Sequence, residues 1–276
     1  MPAPATRGWL VLVPLTIALT TAACATKLYE PPTGPGQPLP EAATVWQEVS
    51  TRCRDAQTFL AEIEISGWIG EPREGLPTFT AHGALTRDDD IYLEVPAPGK
   101  SFVQMAGRAG QAVFLLPRED RVLRAASRDI VHRLIGLRWS PRDLLNVLAG
   151  CVTTPSGQVT GTAYGTQASI ELGGDARAYL RKLDGRWQVE AGDRDGLRIE
   201  YRQYPGAWPA LVRVSSISPS VTPLQLTFKL AQHNVNTGTT ADTFTIAVPP
   251  NFLPMTLEEL QTTRAIKEGK DGSRNP

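Results

Sequence analysis

The sequence predicts a mainly β fold of the α+β kind: a curved antiparallel sheet, an unclosed β-barrel, with a helical lid. Three observations predict it. Segments that alternate apolar and polar residues recur along most of the chain, separated by turn clusters of Gly, Pro and Asp. A strongly apolar helical stretch interrupts them once, at residues 127–150. A long antiparallel sheet with one apolar face must curl and cover that face, and these helices are placed to lie across its mouth. Such a shape encloses more space than its own side chains fill, and barrel mouths are recurrent ligand sites.

Residues 1–23 have the layout of an export signal: a cationic start with Arg7, then "GWLVLVPLTIALTTAA". This apolar run is shorter than the ~20 residues a membrane span needs, and Pro14 interrupts it. It ends in "LTTAAC", which resembles the lipobox of bacterial lipoproteins, although Thr21 stands where leucine is usual. That resemblance implies cleavage before Cys24 and its acylation; the plainer alternative is an ordinary secretory signal cut near Ala23. Residue 25 is Ala and not Asp, which by the same resemblance directs the protein outward, to the periplasmic side of the outer membrane. Residues 24–40, rich in Pro and Gly, read as a tether.

The folded domain is expected over residues 41–264. It opens with a helix in which Val45, Trp46, Val49, Cys53 and Ala56 recur at helical spacing. The period then changes to two. In "FLAEIEISGWIG", Phe59, Ala61, Ile63, Ile65 and Ile69 face one way and Glu62, Glu64 and Ser66 the other. The alternation continues in "FTAHGALTR", "DIYLEVP", "SFVQMAG" and "QAVFLLPR", with turns at "RDDD", "APGK" and "GRAG".

Next come the helices. Ile130, Val131, Leu134 and Ile135 form one apolar stripe. "SPRDLLNVLAG" then announces a second helix, with Ser140 as N-cap, Pro141 in the first helical position, Asp143 in the first turn and Gly150 as the stop. Leu144, Leu145, Val147 and Leu148 are too many apolar positions for a solvated helix, so a broad side must be covered. Strands resume in "GTQASIELGG", "AYLRKL", "WQVEAG", "LRIEYRQY", "ALVRVSS", "LQLTFKLAQ" and "FTIAVP", and a short helix, "TLEELQTT", closes the domain. Residues 265–276 read as a disordered tail. The total is about a dozen strands and three or four helices.

Lys and Arg number 28 against 28 Asp and Glu, so the chain has no electrostatic footprint for nucleic acid. With Cys24 acylated, Cys53 and Cys151 remain, either as a disulfide in an oxidising compartment or as two buried thiols. No nucleophile elbow, phosphate-cradling Gly loop, metal-spaced His pair or CxxC occurs. His82, His132 and His233 read as surface or structural residues, "RDDD" as a solvated turn, and the tryptophans as core or pocket wall. No catalytic residue, metal or cofactor is therefore expected, and the chain is not expected to be an enzyme.

The signal and lipobox, the N-terminal helix, the meander with "IYLEVPAPGKSFVQMAG", the helical insert ending "LLNVLAG" and the closing "FTIAVPP" together resemble the LolA/LolB-type lipoprotein carriers, a group that extends to mycobacterial lipid-binding lipoproteins. The resemblance implies an unclosed barrel of about eleven strands under a helical lid, which holds acyl chains and passes them between membranes, with a periplasmic carrier protein as partner. LolB carries a leucine on a protruding loop; the corresponding "VPAPGKSF" has none. The expected ligand-cavity residues are Ile63, Ile65, Leu93, Phe114 and Leu116, with Ile130, Leu134, Leu144 and Leu148 in the lid. The expected function is a membrane-anchored, non-enzymatic carrier or acceptor of acylated cargo, lipoprotein or lipid. The alternative is a structural lipoprotein subunit of an envelope assembly, its sheet filled by its own side chains.

Overall fold

The computed structural model describes residues 29–262. The chain divides into two compact units, residues 1–30 and 31–276; of the first, only Tyr29 and Glu30 are described. Cys24, the signal segment and the tail from 265 lie outside the described residues.

The second unit is built on one sheet of fifteen strands. In chain order these are β1 (Gln37–Pro38), helix α1 (Ala42–Asp55), β2 (Thr58–Ile69), β3 (Glu74–Thr86), β4 (Ile91–Val95), β5 (Val103–Arg108), β6 (Gln111–Leu116) and β7 (Arg121–Ala126). Helices α2 (Ser127–Ile135) and α3 (Pro141–Leu148) follow. Then come β8 (Thr160–Tyr164), β9 (Gln167–Gly173), β10 (Ala176–Leu183), β11 (Arg186–Arg194), β12 (Leu197–Arg202), β13 (Leu211–Ser216) and β14 (Leu224–Val235). A 3-10 turn (Ala241–Phe244), β15 (Leu253–Pro254) and α4 (Leu257–Thr262) complete it. The pairing order runs β1, β8 to β14, then β2 to β7, then β15. All pairings are antiparallel except β15 on β7, and β1 and β15 stand at opposite edges, so the sheet does not close.

Local chemistry explains most of these elements. Asp184-Gly185 and Asp195-Gly196 take positive φ at both positions, giving the two-residue turns whose twist matches the flanking strands. The predicted alternation of β2 holds: Phe59, Ala61, Ile63 and Ile65 are buried, and the residues between them are half-exposed. Helix α3 carries the full capping box, with the Ser140 hydroxyl accepting from the Asp143 amide and the Asp143 carboxylate accepting from the Ser140 amide. The last turn of α1 is joined to the segment after α3 by a disulfide between Cys53 and Cys151, Cα atoms 6.1 Å apart.

The inner faces of β2, β9, β10, β12, β13 and β14 share one hydrophobic core with α1, α2 and α3, centred on side chains such as Ile170, Leu180, Ile199, Leu145 and Trp139. The outer face carries ion pairs instead, among them Glu171–Arg177 at 2.6 Å, Asp193–Arg198 at 2.8 Å and Glu200–Arg202 at 2.8 Å. Two sequence expectations need correction. "FTIAVP" is not a strand: Phe244 ends the 3-10 turn and the following residues, up to the prolines at 249 and 250, join no ladder. Conversely, β7, β8 and the two-residue edge strands went unforeseen; in β7, Arg121 and Arg124 break the apolar alternation.

Candidate functional site: an apolar cavity beneath the helices

Beneath the two central helices lies a cavity of about 410 Å³. Its floor is the stretch of sheet from β2 to β5, through Ile63, Ile65, Phe79, Gly83, Leu85, Ile91, Leu93 and Met105. Its roof is Val131, Leu134 and Ile135 of α2 with Leu144 and Leu148 of α3. None of the lining residues carries a carboxylate, an imidazole, a thiol or a cationic group; Thr78, Thr80 and Tyr92 are the hydroxyl-bearing residues among them.

Two features of sequence open this space. The first is small side chains on the inner face of β3. Ala81 is fully buried, and Gly83 follows it on the same face, with Leu93 of β4 opposite Gly83. A full-sized side chain at Gly83, which lines the cavity, would project into the void. The second is Pro96. Strand β3 pairs with β2 almost throughout, from Glu74 to Thr86, but with β4 only from His82 to Leu85. Two residues beyond the last pair, His82 with Glu94, the register would bring Thr80 opposite Pro96, which has no N–H to donate. The ladder ends there. The gap is flanked by Leu76, Pro77, Thr78 and Phe79 on one side and by Val95, Pro96, Phe102 and Val103 on the other, and all of these line the cavity.

The loop across the gap is held from outside. Glu94 accepts from the Tyr92 hydroxyl at 2.7 Å, from the Ser101 hydroxyl and from the Gln104 amide at 3.3 Å. The Ser101 bond, followed by that of Tyr92, holds the Glu94 carboxyl below its ordinary pKa. Burial, reinforced by the bond to Glu94, pushes the Tyr92 phenol up to about 12. Arg118 stacks over Phe102 at 4.0 Å and donates to the carbonyls of Lys100 and Pro98.

The roof is fixed at α3. Asp143 pairs with Arg194 of β11 at 3.0 Å, and Arg194, itself only 11% exposed, also donates to the carbonyl of Val152. The acidic turn "RDDD" meets the start of the same helix. Asp89, at a φ of 62°, accepts the Arg142 amide at 3.0 Å, which is the favourable place for a carboxylate near a helix N-terminus. No group of three or more potential metal ligands occurs among the described residues.

Of the residues expected at the cavity and lid, Ile63, Ile65, Leu93, Leu134, Leu144 and Leu148 line the void. Phe114, Leu116 and Ile130 do not. All three are fully buried in the core, where neighbouring side chains fill the space around them. Phe79, Gly83, Val103, Met105 and Phe228 were missed. The alternation in "FTAHGALTR" already placed Phe79, Ala81 and Gly83 on one face, so the small residues on that face were the available signal. His82 is exposed on the outer face, His233 stacks with Phe59 at 6.1 Å, and no tryptophan lines the cavity.

No protein-family profile and no curated protein matches the chain. Among solved structures it is similar to a LolA superfamily protein from Nitrosomonas europaea, at 8% identity over 74% of this chain and 97% of that one, with a TM-score of 0.47. It is also similar to a putative outer membrane lipoprotein-sorting protein domain from Vibrio parahaemolyticus, at 13% identity over 74% and 96% of the two chains, with a TM-score of 0.38. Both TM-scores lie below 0.5, so the functional reading rests on the cavity.

Proposed function

We propose that this chain is a membrane-anchored lipoprotein that binds acylated cargo, a lipoprotein or a lipid, in the cavity and transfers or accepts it at the outer membrane. The observation that carries the reading is the cavity itself: about 410 Å³ and free of charged groups in its lining. That volume falls in the range of roughly 300–1,000 Å³ usual for small-molecule sites. A structural subunit whose sheet is filled by its own side chains has no need of such a void. The mechanism is desolvation. At ~25 cal/mol per Å² of apolar surface removed from water, one long acyl chain supplies much of a micromolar affinity. Movement of the roofing helices then suffices for uptake and release.

The anchor rests on "LTTAAC", with acylation at Cys24, and the outward address rests on Ala25. Two acyl chains on one residue hold a protein stably on a bilayer. A soluble periplasmic carrier is the partner such a receptor would need, since acyl chains do not cross water unaided. The test is to purify the protein from membranes, extract it and identify bound lipid by mass spectrometry, then titrate a fluorescent fatty-acyl probe. Co-purified acyl lipid and saturable probe uptake are expected. Absence of both would overturn the reading.

A further inference from the structure

The gap that opens the cavity also leaves a strand edge without a partner. Arg87 donates its amide to Gln57, on the β2 side of β3, and Thr86 donates to Asp90, on the β4 side. Successive residues of a strand direct their backbone groups to opposite sides. Thr80, an even number of residues from Thr86, therefore turns its N–H and C=O away from β2, toward the place that β4 vacates at Pro96. Among the described residues no backbone group meets it there. The alternation runs as far as Phe79, after which the register with β2 shifts; Thr78, within that irregular stretch, is exposed, and Thr78 and Thr80 both line the cavity.

We propose that this edge receives the polypeptide portion of an acylated protein: the acyl chain enters the cavity, and the residues next to the acylated one add as a short strand alongside β3 at Thr80. The proposal rests on acyl-chain binding by the cavity. The chemistry of the mouth selects this occupant. A phosphate headgroup calls for cations, and none lines the cavity; the unpartnered backbone of Thr80 fits a neutral, amide-bearing ligand instead. A second copy of the chain is disfavoured, because the open edge is only a few residues long, between the register shift after Phe79 and the pair His82–Glu94, too short for a strand of a folded partner. The edge is short, so it fits a segment of two or three residues and reads no long sequence. Cargo would then be distinguished as protein or free lipid by backbone pairing.

The test compares palmitamide with an N-palmitoylated tetrapeptide amide, both displacing a fluorescent fatty-acyl probe from the protein. The peptide ligand is expected to bind about tenfold tighter, a difference of ~1.4 kcal/mol. N-methylating its amides one at a time is expected to abolish the gain at alternate positions only, because every second amide faces β3. In Thr80→Pro the ratio between the two affinities is expected to fall to about one, whatever happens to palmitamide binding in the cavity that Thr80 lines. The N-methyl series stands on its own if that variant misfolds. Equal affinity for the two ligands, or indifference to N-methylation, with palmitamide still bound, would overturn the proposal and leave the cavity reading in place. Failure of palmitamide itself to bind would overturn both.

Discussion

Gly83→Leu should empty the cavity of its ligand without unfolding the protein. The position lies on the inner face of β3, and a Cβ built there would meet Ile63 Cδ1 at 3.2 Å, the tip of a flexible side chain, with no other heavy atom nearer than 3.9 Å. The backbone at Gly83 has no positive φ, so leucine brings no conformational strain. Its four carbons would take space from three or four ligand methylenes. At ~0.8 kcal/mol per methylene that is about 3 kcal/mol, or roughly a hundredfold in affinity. Stability should hold or rise, since replacing a mid-strand glycine gains about 0.5–1 kcal/mol and the new side chain fills a void. In a packed core the same change would cost about 1–3 kcal/mol by overpacking. Probe titration and a thermal melt on one sample separate the two cases. Gly75→Ala, on the same strand with nothing within 4 Å, is the control. Unchanged affinity in Gly83→Leu would place the acyl chain elsewhere, and a large fall in Tm would mean that the space is already filled.

Other perturbations test other parts of the argument. Cys24→Ser should abolish metabolic labelling by a fatty-acid analogue and release the protein from membranes, with probe binding by the isolated variant unchanged. Replacing both Cys53 and Cys151 by Ala opens a cross-link that spans 98 residues; the chain-entropy account puts the loss at up to about 4.7 kcal/mol, measurable as a lower midpoint in urea. Tyr92 should ionise near pH 12 by ultraviolet titration. Because its folded pKa is raised, the stability it contributes is complete below about pH 10 and is lost as pH climbs toward 12. Glu94 has the opposite sign: its folded pKa is depressed, so its contribution is present above the ordinary carboxylate pKa and is lost as pH falls below it. Ser101→Ala should return the Glu94 pKa toward the ordinary value, followed by NMR.

Much of the fold was legible because its signals are local. The alternation in β2 reports one-sided burial within a single segment, and that burial is what the structure has. The capping box at Ser140 and Asp143 needs only four consecutive residues to form, so it could be read directly. "FTIAVP" shows where this stops. Alternation reports a dry face, but a strand also needs a hydrogen-bonding neighbour, and the edge of β7 is taken by Leu253 and Pro254 instead. The same distinction governs the site. Phe114, Leu116, Ile130, Ile63 and Ile65 all read as inward-facing, and all are buried. Whether an inward side chain meets another side chain or a void depends on what stands across from it, which no single segment encodes.

By itself the sequence determined the class of fold, the place of the lid helices, the uncharged character of the interior and the candidate acylation site at Cys24. These follow from composition and from periods of two and 3.6 residues, which the chain expresses locally. Tertiary structure alone decided that β14 pairs with β2, joining the two halves of the chain in one sheet, and that Cys53 lies beside Cys151. It also decided that the ladder between β3 and β4 ends where Pro96 arrives opposite Thr80. Pro96 is plain in the sequence, but its lack of an N–H matters only because of the residue it faces, and that partner is set by register between strands and not by neighbours along the chain.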